Sequence, residues 1–186
     1  MNTELLIDIA RCPKAHACLS EKENHPCRRI VFSQDMTNPE EFQTPEPWSG
    51  RIKTAPILFL SSNPSISSEE VFPTWNWADA DIADFFQNRF GSGRQPWIIE
   101  GTRSLRKGEG YGPWTRFWSG VKGRARELLE REPIPGIDYA LTELVQCKSQ
   151  KEAGVPEALD HCFSRYLDRI LEASGARVMV GLGALA

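Results

Sequence analysis

The sequence predicts an α/β fold, a three-layer α/β/α sandwich built around a short parallel sheet. Three short apolar runs, at residues 55–60, 138–145 and 176–182, each end at a polar or glycine turn. Continuous apolar runs of this length are typical of strands covered on both faces. Helix-forming stretches separate the runs, and strands that alternate with helices favour a parallel sheet. In such sheets, ligands bind at the carboxyl ends of the strands.

Helices are predicted before and between these strands, at residues 5–10, 79–90, 117–129 and 155–174. The last of them carries apolar residues at helical spacing and ends before Gly175, a natural C-cap. A chain of 186 residues is the usual size of a single domain. Within one domain spanning 1–186, residues 1–50 are predicted to form an N-terminal cap and residues 66–110 an insertion.

Composition limits the partners that we expect. A net charge of −3 argues against binding nucleic acid through bulk positive charge alone, but it does not exclude a local basic groove. The residues available for that groove are Arg89, Arg94, Arg103, Arg106 and Lys107. The chain has no apolar run of 18 residues and no secretory signal at its start, so we expect no membrane association and a monomeric, cytoplasmic protein.

The cysteines are the strongest chemical signal in the sequence. Cys147 follows the second predicted strand, and Cys162 lies fifteen positions later, in the next helix. Three more cysteines, Cys12, Cys18 and Cys27, lie in the N-terminal cap. Cysteines without an export signal indicate metal binding or buried thiols rather than disulfides. A site with four of them would accept an iron–sulfur cluster or zinc, and the alternative is five unrelated buried thiols.

Several of these segments resemble the iron–sulfur members of the uracil-DNA glycosylase superfamily. The matching positions are Thr142, Val145, Cys147, Cys162 and the turn Gly181-Leu182-Gly183-Ala184. Asn63 and Pro64 match the central pair of the family's first catalytic motif, with Ser61 and Ser65 in place of its glycines. Trp114 in Gly112-Pro113-Trp114 stands where the family has a base-stacking aromatic residue.

The resemblance implies a DNA-repair hydrolase that cleaves the N-glycosidic bond of a deaminated base such as uracil, in single- or double-stranded DNA. Asn63 would hold the attacking water, and Ser62, Pro64, Trp114 and Glu143 would contact the base. A 4Fe-4S cluster is implied, with zinc as the alternative. The family's N-terminal Cys-x-x-Cys is absent, so any two of Cys12, Cys18 and Cys27 would join Cys147 and Cys162.

Glu143 departs from the family, which has asparagine there. An ionised carboxylate only accepts hydrogen bonds. Glu143 would therefore face a base edge that carries hydrogen-bond donors, such as an amino group. Alternatively, it would form a salt bridge near the end of the strand. A non-catalytic binding module on the same fold is the main alternative function. A nucleotide-binding enzyme of another α/β family, with Gly181-Leu182-Gly183 as its phosphate turn, is a weaker one.

The superfamily fold continues beyond the third strand with a helix, a fourth strand and a histidine-bearing loop. The sequence stops at Ala186, directly after the third predicted strand. We therefore expect a C-terminally truncated version of the fold, with a complete but minimal domain as the alternative.

Overall fold

A three-stranded parallel sheet forms the centre of the computed structural model, which describes residues 3–20, 24–35, 38, 40–91, 96–108 and 110–183. Its middle strand is β1 (Ile57–Ser61), flanked by β5 (Tyr139–Glu143) and β6 (Val178–Gly181). The register sets Ser61 beside Glu143 at the carboxyl end of the sheet. The predicted α/β class with a parallel sheet is confirmed.

The helices of the described chain are α1 (Thr3–Ala10), α2 (Pro13–Ser20), α3 (Arg28–Phe32), α4 (Asp79–Gln87), α5 (Arg116–Leu129), α6 (Val155–Cys162) and α7 (Asp168–Ala173). A π-helical segment, Phe163–Leu167, joins α6 to α7. The single helix predicted at 155–174 is therefore one helical stretch with a π-helical interior. Helices α2 and α3 were not predicted, because each is short and α2 buries only Ala15 and Cys18.

Helices pack on both faces of the sheet because the side chains of a strand point alternately to either side. On one face, Ile57, Phe59, Tyr139 and Leu141 contact the apolar side of α5. On the other face, Leu58 and Ala140 share a core with apolar residues of α1, α4, α6 and α7. The order of layers is helix, sheet, helix.

β6 differs from its prediction as a buried strand. Val178 and Met179 are 43% and 61% exposed. The strand pairs with β1 on one side only, and within the described residues no strand pairs with its other side. The two helical layers are centred on β1 and β5 and leave much of β6 uncovered. The apolar sequence of β6 predicts a strand but does not show how much of that strand is covered.

The segment around Ser49 covers the outer edge of β5. Ser49 and Leu141 exchange backbone hydrogen bonds of 2.8 and 3.0 Å, and the Thr142 hydroxyl donates to the Pro47 carbonyl at 2.7 Å. Part of the predicted N-terminal cap thus protects a sheet edge from pairing with other chains.

A small antiparallel sheet lies in the predicted insertion and ends one residue beyond it. Its strands are β2 (Ile98–Ile99), β3 (Arg103–Arg106) and β4 (Gly110–Tyr111). Across the described chain, no helix combines the length and apolarity needed to cross a membrane.

Candidate functional site at the carboxyl end of the sheet

The turn after β1 and the loop after β5 are joined by backbone hydrogen bonds. Leu144 and Val145 donate to the carbonyls of Ser61 and Ser62, at 2.8 and 3.0 Å, and Ser149 donates to Pro64 at 3.1 Å. The polar residues predicted for the site therefore belong to one joined structure at the end of two neighbouring strands.

The side chain of Asn63 links this turn to the loop. Its Nδ2 donates to the carbonyls of Pro64 and Cys147, at 3.1 and 3.3 Å, and to the Ser149 hydroxyl at 2.8 Å. Carbonyl oxygens only accept hydrogen bonds, so these contacts fix which end of the amide is nitrogen. All hydrogen bonds of Asn63 within the described chain are donated by Nδ2, and Oδ1 remains available as an acceptor.

The other residues predicted to contact a base lie in different settings. Ser62 is half-buried and donates its hydroxyl to Glu152, while Pro64 is buried. Trp114 is 59% exposed, just before α5. Helix α5, which follows Trp114, leads into the amino end of β5, where Arg131 and Asp138 form a salt bridge of 2.7 Å. That Trp114 borders the same cleft as Asn63 stays a prediction.

Glu143 is almost fully buried, and its carboxyl group accepts a hydrogen bond from the Ser61 hydroxyl. Burial, reinforced by the charge of Glu46, raises the pKa of Glu143 to about 8, although Ser61, Arg89 and Lys148 oppose the shift. This shift favours the protonated form of Glu143 at neutral pH, in contrast to the ionised acceptor expected from the sequence. No salt bridge to Glu143 exists within the described chain.

A buried charge network lies beside Glu143. Arg89 is 2% exposed and pairs with both Glu46 and Glu70, the latter at 2.9 Å. The Lys148 ammonium lies 3.6 Å from Glu70 and 3.5 Å from the centre of the Phe72 ring. Burial disfavours the charge on Glu70, but Lys148 and Arg89 together hold its pKa below the ordinary value.

This network was missed by sequence reasoning. Its members come from positions 46, 70, 89, 143 and 148, so no local motif marks them. Arg89 was instead counted among the residues available for a local basic groove, and its burial in ion pairs removes it from that set. Of the other groove residues, Arg94 lies outside the described residues and Arg106 pairs with Glu69 at 3.1 Å.

All five cysteines are buried and free of disulfides. Burial raises the pKa of the Cys147 thiol, and negative charge on Cys162, Cys12, Cys27 and Cys18 raises it further. Burial likewise raises the pKa of Cys162 to about 12. Thiols that lie within electrostatic reach of one another and away from water stay protonated until a cation neutralises their thiolates. The cysteines are therefore compatible with a metal centre.

Cys27 also has two histidine neighbours. Ligand atoms of His25, Cys27 and His161 all lie within 4.8 Å of one another, the only such set of three or more in the described chain. Burial and the charges of His25, Arg165 and Lys14 lower the pKa of His161. No three of the described thiols lie within 4.8 Å of one another.

A cavity of about 700 Å³ lies elsewhere, lined by Trp48, Ala83 and residues 50–54. These loop residues precede β1, so the cavity is at the amino end of the sheet and is not part of the candidate site.

The sequence matches no protein-family model, and no curated protein is similar to it.

Proposed function

We propose that this chain is a uracil-DNA glycosylase-like hydrolase that cleaves the N-glycosidic bond of a deaminated base in DNA. The observation that carries the proposal is the Asn63 amide, held through Nδ2 at the carboxyl end of the sheet with Oδ1 unengaged. This is the end where parallel α/β sheets bind ligands.

In this proposal Asn63 positions the attacking water. A water that donates a hydrogen bond to Oδ1 would be oriented with a lone pair free to attack the anomeric carbon. The two hydrogens of Nδ2 are shared among three acceptors, which restricts rotation of the amide, so its orientation is set before substrate arrives. Because an amide does not take up the water's proton, Asn63 acts by positioning rather than as a base.

Trp114 and Glu143 would receive the flipped base. The exposed ring of Trp114 offers a surface for stacking, which a base removed from the duplex requires. Glu143, with Ser61, would form the floor of the base site. A neutral carboxylic acid has one O–H donor and one carbonyl acceptor, as the asparagine amide has an N–H donor and an acceptor. Protonated Glu143 therefore suits uracil, whose edge carries both an acceptor and a donor.

A 4Fe-4S cluster would be held by Cys147, Cys162 and two of the three N-terminal cysteines. The cluster would supply a rigid anchor between the N-terminal helices and the loop after β5. Because Cys147 belongs to the loop that holds Asn63, this anchor supports the catalytic turn. Zinc remains the alternative occupant.

The test is excision from single- and double-stranded oligonucleotides that contain uracil, hypoxanthine or xanthine. We expect Asn63→Ala to slow excision by orders of magnitude in a protein that still folds, with some loss of stability because the Nδ2 contacts are also removed. Asn88→Ala is the matched control, since Asn88 lies by the cavity at the amino end of the sheet and should leave excision unchanged.

A non-catalytic DNA-binding module is the second candidate. It is favoured by Glu143, which is only 1% exposed in the free protein. Binding of damaged DNA without excision of any of the three bases would support this module over the glycosylase.

A further inference from the structure

His25, Cys27 and His161 converge from separate parts of the chain. His25 and Cys27 lie just before α3, and His161 lies in the last turn of α6. Their ligand atoms are all within 4.8 Å of one another, and the imidazole rings are 4.5 Å apart at 87°. Two imidazoles and a thiol are the donor set that Zn²⁺ prefers in proteins.

The surroundings of the trio favour an ion. Nε2 of His161 is buried, and no hydrogen bond to it exists in the described chain. Buried polar atoms nearly always have a partner, so an unmatched ring nitrogen beside a thiol needs an explanation. A metal bond would provide the partner.

One member of the trio, His25, borders a solvent-filled cavity, whereas Cys27 is buried. A cavity of about 860 Å³ is lined by His25, Arg28, Arg29, Phe32 and Glu157 among others. It would admit an ion and leave space for water at a fourth coordination position. Zinc sites with three protein ligands and an open position are common.

We propose that His25, Cys27 and His161 bind a single zinc-type divalent ion. The trio adjoins the other cysteines, and the assignment does not depend on the glycosylase function. Binding would displace the Cys27 thiol proton to solvent, leaving a thiolate as ligand. If Cys27 binds this ion, it is no longer a candidate ligand of the iron–sulfur cluster. The proposed cluster ligands then become Cys12, Cys18, Cys147 and Cys162.

Metal analysis of anaerobically purified, untagged protein tests this assignment. We expect zinc together with iron and sulfide in the wild-type protein. His25→Ala, Cys27→Ser and His161→Ala should each lose the zinc and keep the iron and sulfide. His16→Ala is the matched control, because His16 packs edge-on against Trp75 and lies outside the trio, and it should keep both metals.

The opposite pattern would overturn the proposal. If Cys27→Ser loses iron and sulfide while both histidine variants keep the wild-type metal content, Cys27 is a cluster ligand and the histidines only pack together. Should a variant fail to fold, X-ray absorption at the zinc edge of the wild-type protein decides instead. Mixed nitrogen and sulfur neighbours support the site, whereas sulfur neighbours alone, or absence of zinc, contradict it.

Discussion

Asn63 donates a hydrogen bond from Nδ2 to the backbone carbonyl of Cys147, 3.3 Å away. The candidate catalytic amide is thus held by the backbone of a candidate metal ligand. Cys147 lies in a loop that is also joined to the turn of Asn63 by the bond from Ser149 to Pro64. Any change in the metal centre that shifts this loop must shift Asn63 with it.

We therefore expect loss of the metal to impair excision as well as stability. Cys162→Ser removes a proposed metal ligand on α6 without altering a residue that contacts Asn63. It should lower the iron content, the thermal unfolding midpoint and the excision rate together, because structural metals contribute directly to folding. Iron analysis, calorimetry and excision assays provide the measurement. Ser164→Ala, an exposed change on the same helical stretch, should leave all three quantities unchanged.

The buried network around Arg89 gives a prediction about stability. Arg89→Met should destabilise the protein by about 3–5 kcal/mol, because it leaves Glu46 and Glu70 buried with one cation fewer. Adding Glu46→Gln should restore part of that loss. Urea unfolding of the single and double variants measures both effects.

An exposed pair provides the comparison for Arg89. Arg124 and Glu127 lie one turn apart on α5 with both side chains largely exposed. Arg124→Met should therefore cost no more than about 0.5 kcal/mol. Similar losses for Arg89→Met and Arg124→Met would show that the buried network does not stabilise the fold.

The parallel sheet could be predicted from sequence because its strands carry local signals. The runs that became β1 and β5 are apolar throughout and are buried as expected. β6 carries the same pattern but is largely exposed, since burial depends on what packs against a strand. The small antiparallel sheet was not predicted because β2 and β4 have two residues each.

The candidate site, like the fold, could be predicted only in part from the sequence. Asn63 and Glu143 were placed at one end of the sheet because they lie at the ends of strands that run in parallel. The protonation of Glu143 was not predictable, since it depends on burial and on Glu46, nearly a hundred positions away. The partnership of Cys27 with His25 and His161 was missed because residues 27 and 161 are brought together only by the packing of α3 on α6.

The raised pKa of Glu143 predicts how stability varies with pH. The unfolded chain ionises Glu143 near its ordinary pKa of 4.5, whereas the folded protein keeps it protonated to about 8. The unfolded state therefore binds fewer protons between these values, and stability falls as pH rises through that window. The loss contributed by Glu143 is a few kcal/mol at most.

Glu143→Gln should remove this part of the pH dependence. We expect the variant to gain stability relative to the wild type between pH 5 and pH 8, measured by urea unfolding at each pH. Glu172→Gln, at an exposed position, should follow the wild-type profile. A Glu143→Gln profile parallel to that of the wild type would show that Glu143 is ionised in the folded protein.

Trp114 should affect DNA binding without affecting folding. Its side chain is 59% exposed, so Trp114→Ala removes little buried surface and should leave the free energy of unfolding nearly unchanged. If the ring stacks on a base, the variant should weaken binding of single-stranded DNA by about 1–3 kcal/mol, measured by fluorescence anisotropy. Trp118→Ala gives the contrast, because Trp118 is buried against the sheet and its loss should cost about 3–5 kcal/mol of stability. Unchanged DNA affinity in folded Trp114→Ala would remove Trp114 from the proposed base site.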